Sequence, residues 1–236
     1  MLKQTPGKIY LADQRGHEHA AHYNRNSTFN FGIYNDVHKA PFRRLYVLNE
    51  EQLAAASHST YTPKQPVYVV VLPVTGALEV EVNVSDKTKV EVEQAWLQFV
   101  APGQSFQITN PYPDSVISFL QIWILASATP AAPGQVANFT LDYNLNKLAP
   151  VLPAVAGAGE QPFALSLACL HGREELNYCL QREKSAVFAF VLSGAFEVEG
   201  RLLHTHDGLA LWNTETVEIE ALSNHALLLL LELFNA

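Results

Sequence analysis

Sulfur and charge are both scarce in this chain. Two of its 236 residues are cysteines, Cys169 and Cys179, too few for a disulfide framework and not spaced as Cys-x-x-Cys. That excludes a stapled secreted mini-domain and a thiolate zinc or redox motif, and it fits a reduced, cytoplasmic setting. Charged residues make up only 16% of the chain, basic residues occur at most in pairs such as Arg43-Arg44, and the formal net charge is −8. Such a surface repels a phosphate backbone, which argues against direct contact with nucleic acid. Long apolar runs are missing too. Runs such as Ala226 to Leu231 have the length of a strand, far short of the roughly 20 residues of a membrane span. The first ten residues carry Lys3 and Lys8 but no apolar stretch of signal-peptide type. Nor is there a Gly-x-Ser-x-Gly elbow, a Gly-rich phosphate loop or a carboxylate pair in a clear acid/base context, so hydrolase and kinase chemistry have no support.

What the chain does have is an apolar fraction of 48%, enough for a sizeable core, and an internal repeat. Val74-Thr-Gly76-Ala-Leu-Glu-Val-Glu81 returns 118 residues later as Leu192-Ser-Gly194-Ala-Phe-Glu-Val-Glu199. Phe106 to Ile108 returns as Val217 to Ile219, and Phe119 to Ile122 as Leu230 to Leu233, both at an offset of 111. The second copy is thus shorter by seven residues in between, and a duplicated domain is the economical reading. Apolar and polar residues alternate from Leu78 to Val84, from Lys89 to Glu93 and from Phe163 to Leu170, the period of a half-buried strand. Asn49 to Ala56, with Glu50, Glu51 and three alanines, suits a short helix. Pro102-Gly103, Ser193-Gly194 and Asp207-Gly208 mark turns. The expected fold is all-β, with an N-terminal domain over 1–135, a C-terminal domain over 136–236, and a linker from Ser127 to Gly159 that is rich in Ala, Pro and Gly.

Four stretches resemble the pirin family: Tyr10 to Gly16 (YLADQRG), Ser27 to Gly32 (STFNFG) with Tyr34, Pro41-Phe42 with Leu45 to Asn49 (LYVLN), and Phe119 to Ile124 (FLQIWI). The resemblance implies two tandem cupin barrels of jelly-roll type. It also brings functions: some members act as quercetinases on flavonols, and one is a nuclear transcriptional cofactor. Metal-binding members hold iron or another divalent ion with a His-Pro-His and a later His-x-Glu, three imidazoles and a carboxylate that leave coordination positions open. Counted back from Gly76, the His-Pro-His positions are Thr62, Pro63 and Lys64. Counted back from Phe119, the His-x-Glu positions are Phe106, Gln107 and Ile108.

None of the four substituted positions suits a cation. Threonine is a poor neutral ligand, a lysine ammonium repels a metal, and Phe106 and Ile108 have no donor atom. No histidine lies between Ser59 and Ser118, so a shifted alignment does not restore the set. Thr62 and Lys64 are two apart, as are Phe106 and Ile108; on strands each pair shares a face, the barrel interior if the resemblance holds. Both barrels are then expected to be filled with apolar side chains, the second through Val217 and Ile219. Thr62, Lys64, Phe106 and Ile108 are the candidate pocket, with Lys64 reaching solvent at the barrel mouth or meeting an anionic ligand.

Other clusters carry less. His17, His19 and His22, with Glu18, are expected to decorate a polar loop, and His204-Thr205-His206-Asp207 to form an exposed turn, rather than to hold zinc. Cys169 shares a strand face with Leu165 and Leu167 and is expected in the core; Cys179 is expected nearer the surface. Three functional readings follow. The preferred one is a pirin-like bicupin that has lost its metal and cofactor chemistry and binds a small anionic ligand or a protein partner. The second is a metal-dependent dioxygenase of quercetinase type that uses other ligands, such as His17, His19 or His58. The third is a regulatory partner of a transcription factor. A monomer or a small homo-oligomer fits each of them.

Overall fold

The computed structural model describes residues 4–83, 87–126, 134–142, 146–154 and 161–235. The chain divides into two compact units: Arg15–Asn138, and Met1–Gln14 together with Phe139–Ala236. Strand β1 (Gly7–Tyr10) precedes a single 3-10 turn, Ala12–Gln14. The first unit, Arg15–Asn138, contains β2 (Gly16–Ala20), β3 (Tyr23–Ser27), β4 (Leu45–Leu53), β5 (His58–Tyr61), β6 (Val67–Thr75), β7 (Leu78–Val82), β8 (Thr88–Val90), β9 (Gln94–Val100), β10 (Phe106–Thr109), β11 (Ile117–Leu125) and β12 (Gln135–Asn138). The second adds β13 (Lys147–Leu152), β14 (Phe163–Leu170), β15 (Glu175–Cys179), β16 (Ala186–Ser193), β17 (Ala195–Val198), β18 (Arg201–His204), β19 (Gly208–Leu211), β20 (Thr216–Ala221) and β21 (Ala226–Leu233) to β1. No helix among the described residues is long and apolar enough to cross a membrane.

The repeat in the sequence is a repeat in topology. The first unit has a large sheet ordered β12-β9-β6-β11-β4-β3-β2 and a small one ordered β5-β10-β7-β8. The second has β1-β19-β16-β21-β14-β13 and β15-β20-β17-β18, so that each strand has its counterpart except β2. Every described pairing is antiparallel. Within a unit, alternate residues of both sheets turn inward and bury one apolar cluster. In the first unit Val69, Val71 and Trp123 of the large sheet meet Leu78, Val80, Phe106 and Ile108 of the small one. In the second, Val187, Val191 and Leu228 meet Phe196, Val217 and Ile219.

Four expectations need correction. Residues 1–14 belong with the second unit, because β1 covers the open edge of β19. It is tied there by Arg201 Nη2 donating to the Thr5 carbonyl at 2.5 Å and Trp212 N donating to the Pro6 carbonyl at 3.2 Å. The stretch expected as linker supplies β12 and β13, each an edge strand; Pro150 is accommodated at a register shift on such an edge, where a missing N–H costs little. Parts of that stretch, 127–133, 143–145 and 155–159, lie outside the described residues, as does Val84. Asn49 to Ala56 is not helical: Asn49 to Leu53 completes β4, whose backbone is claimed on both sides by β3 and β11. Finally, β14 is buried along its whole length rather than on one face, since it is an inner strand with Ala and Ser between its larger residues.

His204 and His206 do not pair on one strand face. His204 ends β18 and is exposed, while His206 sits in the following turn with φ of 71°. The buried member of that group is Asp207, whose carboxylate accepts from His204 N at 2.9 Å and from Ala12 N at 2.7 Å, pinning the residues after β1. Cys169 is buried and Cys179 exposed.

The Ser193-Gly194 turn between β16 and β17 requires its glycine twice over. Gly194 has φ of +82°, and a Cβ there would lie 3.1 Å from Ala226 Cα and collide with Ser223 Oγ. Gly200 has φ of +68° but open space around it. Gly200→Ala is therefore expected to cost about 1 kcal/mol from the left-handed backbone alone, and Gly194→Ala clearly more, in the range of about 2–4 kcal/mol for strain plus overpacking. Urea midpoints of the two variants check the order.

Candidate functional site

The first unit opens into a pocket of about 810 Å³, within the size range of sites for small organic ligands. Its wall comes from β3, the loop over residues 30–35, β5 with its extension to Lys64, and Trp123 of β11. Tyr23, Phe31, Tyr34, Tyr46, Tyr61 and Trp123 make this wall strongly aromatic. Two cations line it, Arg25 and Lys64, together with His22 and His58, and among the described residues no aspartate or glutamate does.

Arg25 is the centre of the wall. Register places it opposite Glu51 of β4, and both residues turn toward the barrel interior, where Arg25 is 7% and Glu51 1% exposed. Arg25 Nε meets Glu51 Oε1 at 3.0 Å, and Arg25 Nη1 meets Glu18 Oε2 at 3.0 Å. Tyr61 donates its hydroxyl to Glu51 Oε2 at 2.5 Å, and Tyr23 donates to the other oxygen of Glu18. The guanidinium carbon lies 4.8 Å from the ring centroids of Tyr23 and Phe31 and 5.5 Å from that of Tyr61, so the cation is enclosed by aromatic faces as well as carboxylates. Burial acts against the charge on Arg25, but Glu51 outweighs it, and the guanidinium is held more firmly protonated than usual. Burial, then the Glu51 charge, pushes the Tyr61 phenol well above its ordinary value. The Glu18 hydrogen bond does the same for Tyr23.

Several buried polar atoms in this unit have no hydrogen-bond partner among the described residues: Ser59 Oγ and Trp123 Nε1 in residues of the pocket wall, and the Gln121 amide and Asn49 Oδ1 on inward positions of β11 and β4. In folded proteins such groups are normally satisfied by protein, water or ligand.

The four sequence-derived positions separate into two places. Phe106 and Ile108 are 1% and 0% exposed and belong to the apolar core. Thr62 and Lys64 line the pocket but are exposed. The parity argument fails for this second pair because Phe106 is in register with Tyr61, so Ser59 and Tyr61 take the inward positions and Thr62 is turned out, its hydroxyl 2.8 Å from Ser105 Oγ. Tyr61 stacks on Phe106 with centroids 5.1 Å apart. The expectation of a wholly apolar first barrel is corrected by Arg25, Asn49, Glu51 and Gln121. None of these was singled out by sequence reasoning as a site residue; the signal was the alternation Leu45, Val47, Asn49, Glu51, Leu53, legible once the segment is treated as a strand.

His17 and His19 sit on β2, not in a loop, facing outward and bonded to Asn26 and Asn24 of β3, the former at 2.6 Å. His22 lies apart, in the β2–β3 turn. Among the described residues, no group of three or more His, Cys, Asp and Glu side chains could hold a metal ion. The residues at the positions equivalent to the His-Pro-His and His-x-Glu do not fit a divalent cation: two have no donor and are closed into the core, and one is itself a cation.

Comparison with known proteins gives a consistent picture. Residues 160–233 match the family described as the quercetinase C-terminal cupin domain. A quercetin 2,3-dioxygenase of Escherichia coli (strain K12) is 24% identical over 226 residues, covering 94% of this chain and 97% of that protein. The crystal structure of the bacterial pirin YhhW of Escherichia coli in complex with nickel(II) superposes with a TM-score of 0.85 at 21% identity, over 98% of this chain and 100% of that one. A quercetin 2,3-dioxygenase of Acinetobacter baumannii gives 0.72 at 13% identity, over 99% and 88%. At these identities the structural likeness establishes the fold.

Removing the guanidinium leaves Glu51 charged and buried. Arg25→Ala is expected to lower stability by about 3–5 kcal/mol, and the double variant Arg25→Met, Glu51→Met to recover much of that loss; chemical denaturation of both reports it. The phenols set an alkaline limit. Tyr61 titrates above its ordinary 10.0 in the folded state, so its contribution is complete below pH 10 and is lost as pH rises from there toward the raised value. Stability measured between pH 9 and 11 is expected to fall, and Tyr61→Phe to make the fall shallower by up to about 1.4 kcal/mol per pH unit.

Proposed function

From the premise that this chain is a pirin-like bicupin, we propose that it is one in which the first barrel has given up metal chemistry and serves as a non-catalytic, small-ligand-binding module. One observation carries this reading. Where an open coordination shell would be needed, Phe106 and Ile108 are sealed into the apolar core, and beside them Tyr61 and Glu51 are engaged by the Arg25 guanidinium rather than left free as ligands. A guanidinium carries the compensating positive charge but has no open position at which oxygen could be activated. The aromatic pocket in front of it remains, with the volume and concavity of a ligand site. A concave wall of this kind suits a small molecule better than a protein surface, so a small ligand is the occupant we favour.

A second reading has support in the comparisons: a relative that covers nearly the whole chain is a quercetin 2,3-dioxygenase. On that reading the chain would hold a metal through ligands other than those of the family. Elemental analysis separates the two. The untagged protein, incubated with ferrous, manganese, nickel or copper salts and desalted, is expected to retain far less than one ion per chain and to show no chelator-sensitive oxygen uptake with quercetin. Retention of about one ion per chain together with chelator-sensitive uptake would replace the binding-module reading with the dioxygenase.

A further inference from the structure

Seven consecutive residues, His58 to Lys64, line the pocket, and they are β5 and its extension, at the margin of the small sheet. In the order β5-β10-β7-β8, β5 has a neighbour on one side only. An antiparallel strand turns the N–H and C=O of successive residues to alternate sides. The Ser57 carbonyl accepts from Asn110 N at 2.9 Å and the Pro63 carbonyl from Gly103 N at 2.9 Å, so residues 57, 59, 61 and 63 address the β10 side. The register of Ser59 with Ile108 and of Tyr61 with Phe106 agrees. The backbone N–H and C=O groups of His58, Thr60 and Thr62 therefore point the other way, along the open edge, and none of them is bonded to another described residue.

Natural strand edges are commonly blunted by a proline, a bulge or a cover. Here Pro63 has its missing N–H on the β10 side and leaves the open edge intact. That edge borders a concavity whose far wall is β3 and the loop over residues 30–35, which admits one extended segment more readily than the edge of a second folded copy. Its donors and acceptors recur at every second residue, about 6.6 Å apart, the repeat of another extended backbone. The sign of the wall selects the segment. The chain has a formal net charge of −8, yet the wall holds Arg25, Lys64, His22 and His58 and, among the described residues, no carboxylate. Arg25 is buried and engaged by Glu18 and Glu51. Lys64 is exposed and forms no ion pair among the described residues, so a carboxylate on the incoming segment belongs at that end. Side chains opposite Thr60, Thr62 and Lys64 share their outward face; those between turn inward, the side on which the half-buried Tyr23, Phe31 and Tyr46 pack against the core.

We propose that the occupant is a short acidic peptide in extended conformation, added antiparallel to β5 as a fifth strand of the small sheet, with a carboxylate at Lys64 and apolar side chains turned inward. This rests on the reading of the pocket as a small-ligand site and adds to it the class of ligand and the backbone groups that hold it.

The test is calorimetric titration of the full chain with acetyl-Glu-Val-Thr-Val-Thr-amide and with the same peptide carrying Gln for Glu. Antiparallel addition sets the peptide's two threonines opposite Thr62 and Thr60 and aims their N–H groups at β5, while the valine N–H groups point away. The Glu peptide is expected to bind one per chain with a Kd below about 1 mM, and N-methylation of both threonines to weaken it about tenfold or more, since two backbone bonds are lost. Thr60→Pro removes an N–H that the β5–β10 ladder does not use; it should weaken the peptide equally and leave the urea midpoint little changed. Lys64→Met should bring the Glu peptide to the affinity of the Gln peptide, about two- to fivefold weaker at low salt, and leave the Gln peptide unchanged. Equal binding of the N-methylated and parent peptides would overturn strand addition, whether or not Thr60→Pro folds. A concentration-dependent dimer that Thr60→Pro abolishes would assign the edge to a second copy and overturn the inference. If no peptide binds while benzoate or 2-naphthoate shifts the amide NMR signals of residues 58–64, the peptide is overturned and the small-ligand reading stands; if neither acid does so, both are overturned.

Discussion

A carboxylate with almost no access to water, Glu51, organises the first unit. An isolated buried carboxylate is strongly disfavoured, by several kcal/mol even after relaxation, so everything around it has to supply charge or hydrogen bonds. Arg25 supplies the charge from the neighbouring strand and Tyr61 the shortest hydrogen bond from the opposite sheet. The guanidinium needs covering in turn, and Tyr23, Phe31 and Glu18 do so. The pocket wall is thus the outer surface of an ion-pair network whose inner end is a single buried glutamate. The shape of the site follows from satisfying that charge.

The second unit meets a similar demand differently, although its strands run in the same order. Tyr178 on β15 stands opposite Val217 of β20 as Tyr61 stands opposite Phe106 of β10, and its hydroxyl also donates to a buried glutamate, Glu232, at 2.6 Å. That glutamate is on β21, however, and its remaining bonds are backbone N–H donations from Gln181 and Arg182 at 2.9 and 3.1 Å. Burial and the Glu232 hydrogen bond raise the Tyr178 phenol in the same sense as Tyr61. The position of Glu232 is filled in the first unit by Gln121, whose amide has no partner among the described residues. One half satisfies its carboxylate with fixed dipoles and closes its interior. The other uses a cation at the pocket wall.

What this chain shares with the dioxygenase and nickel-bound pirin it resembles is the scaffold. The cupin barrel brings inward-facing side chains of two sheets to one point, and what those side chains are decides the chemistry. Aromatic and aliphatic residues at Phe106 and Ile108 make that point dry. The Arg25 guanidinium lies nearby, held by Glu51 and Glu18.

The sequence by itself determined the all-β class, the duplication and the lack of any histidine between Ser59 and Ser118. These rest on local signals: strict alternation, turn glycines and residue identity at counted spacings. It also exposed Cys169 as core and Phe106 and Ile108 as interior. What only the tertiary structure decided is pairing. Register turned Tyr61 inward and Thr62 outward, and made a strand of Asn49 to Leu53, so that Glu51 came to face Arg25 from 26 residues away. Pairing also carried β1 to the edge of β19, nearly the length of the chain away. No local pattern encodes such partnerships, because a strand's faces are interchangeable until a neighbour fixes which of them is buried.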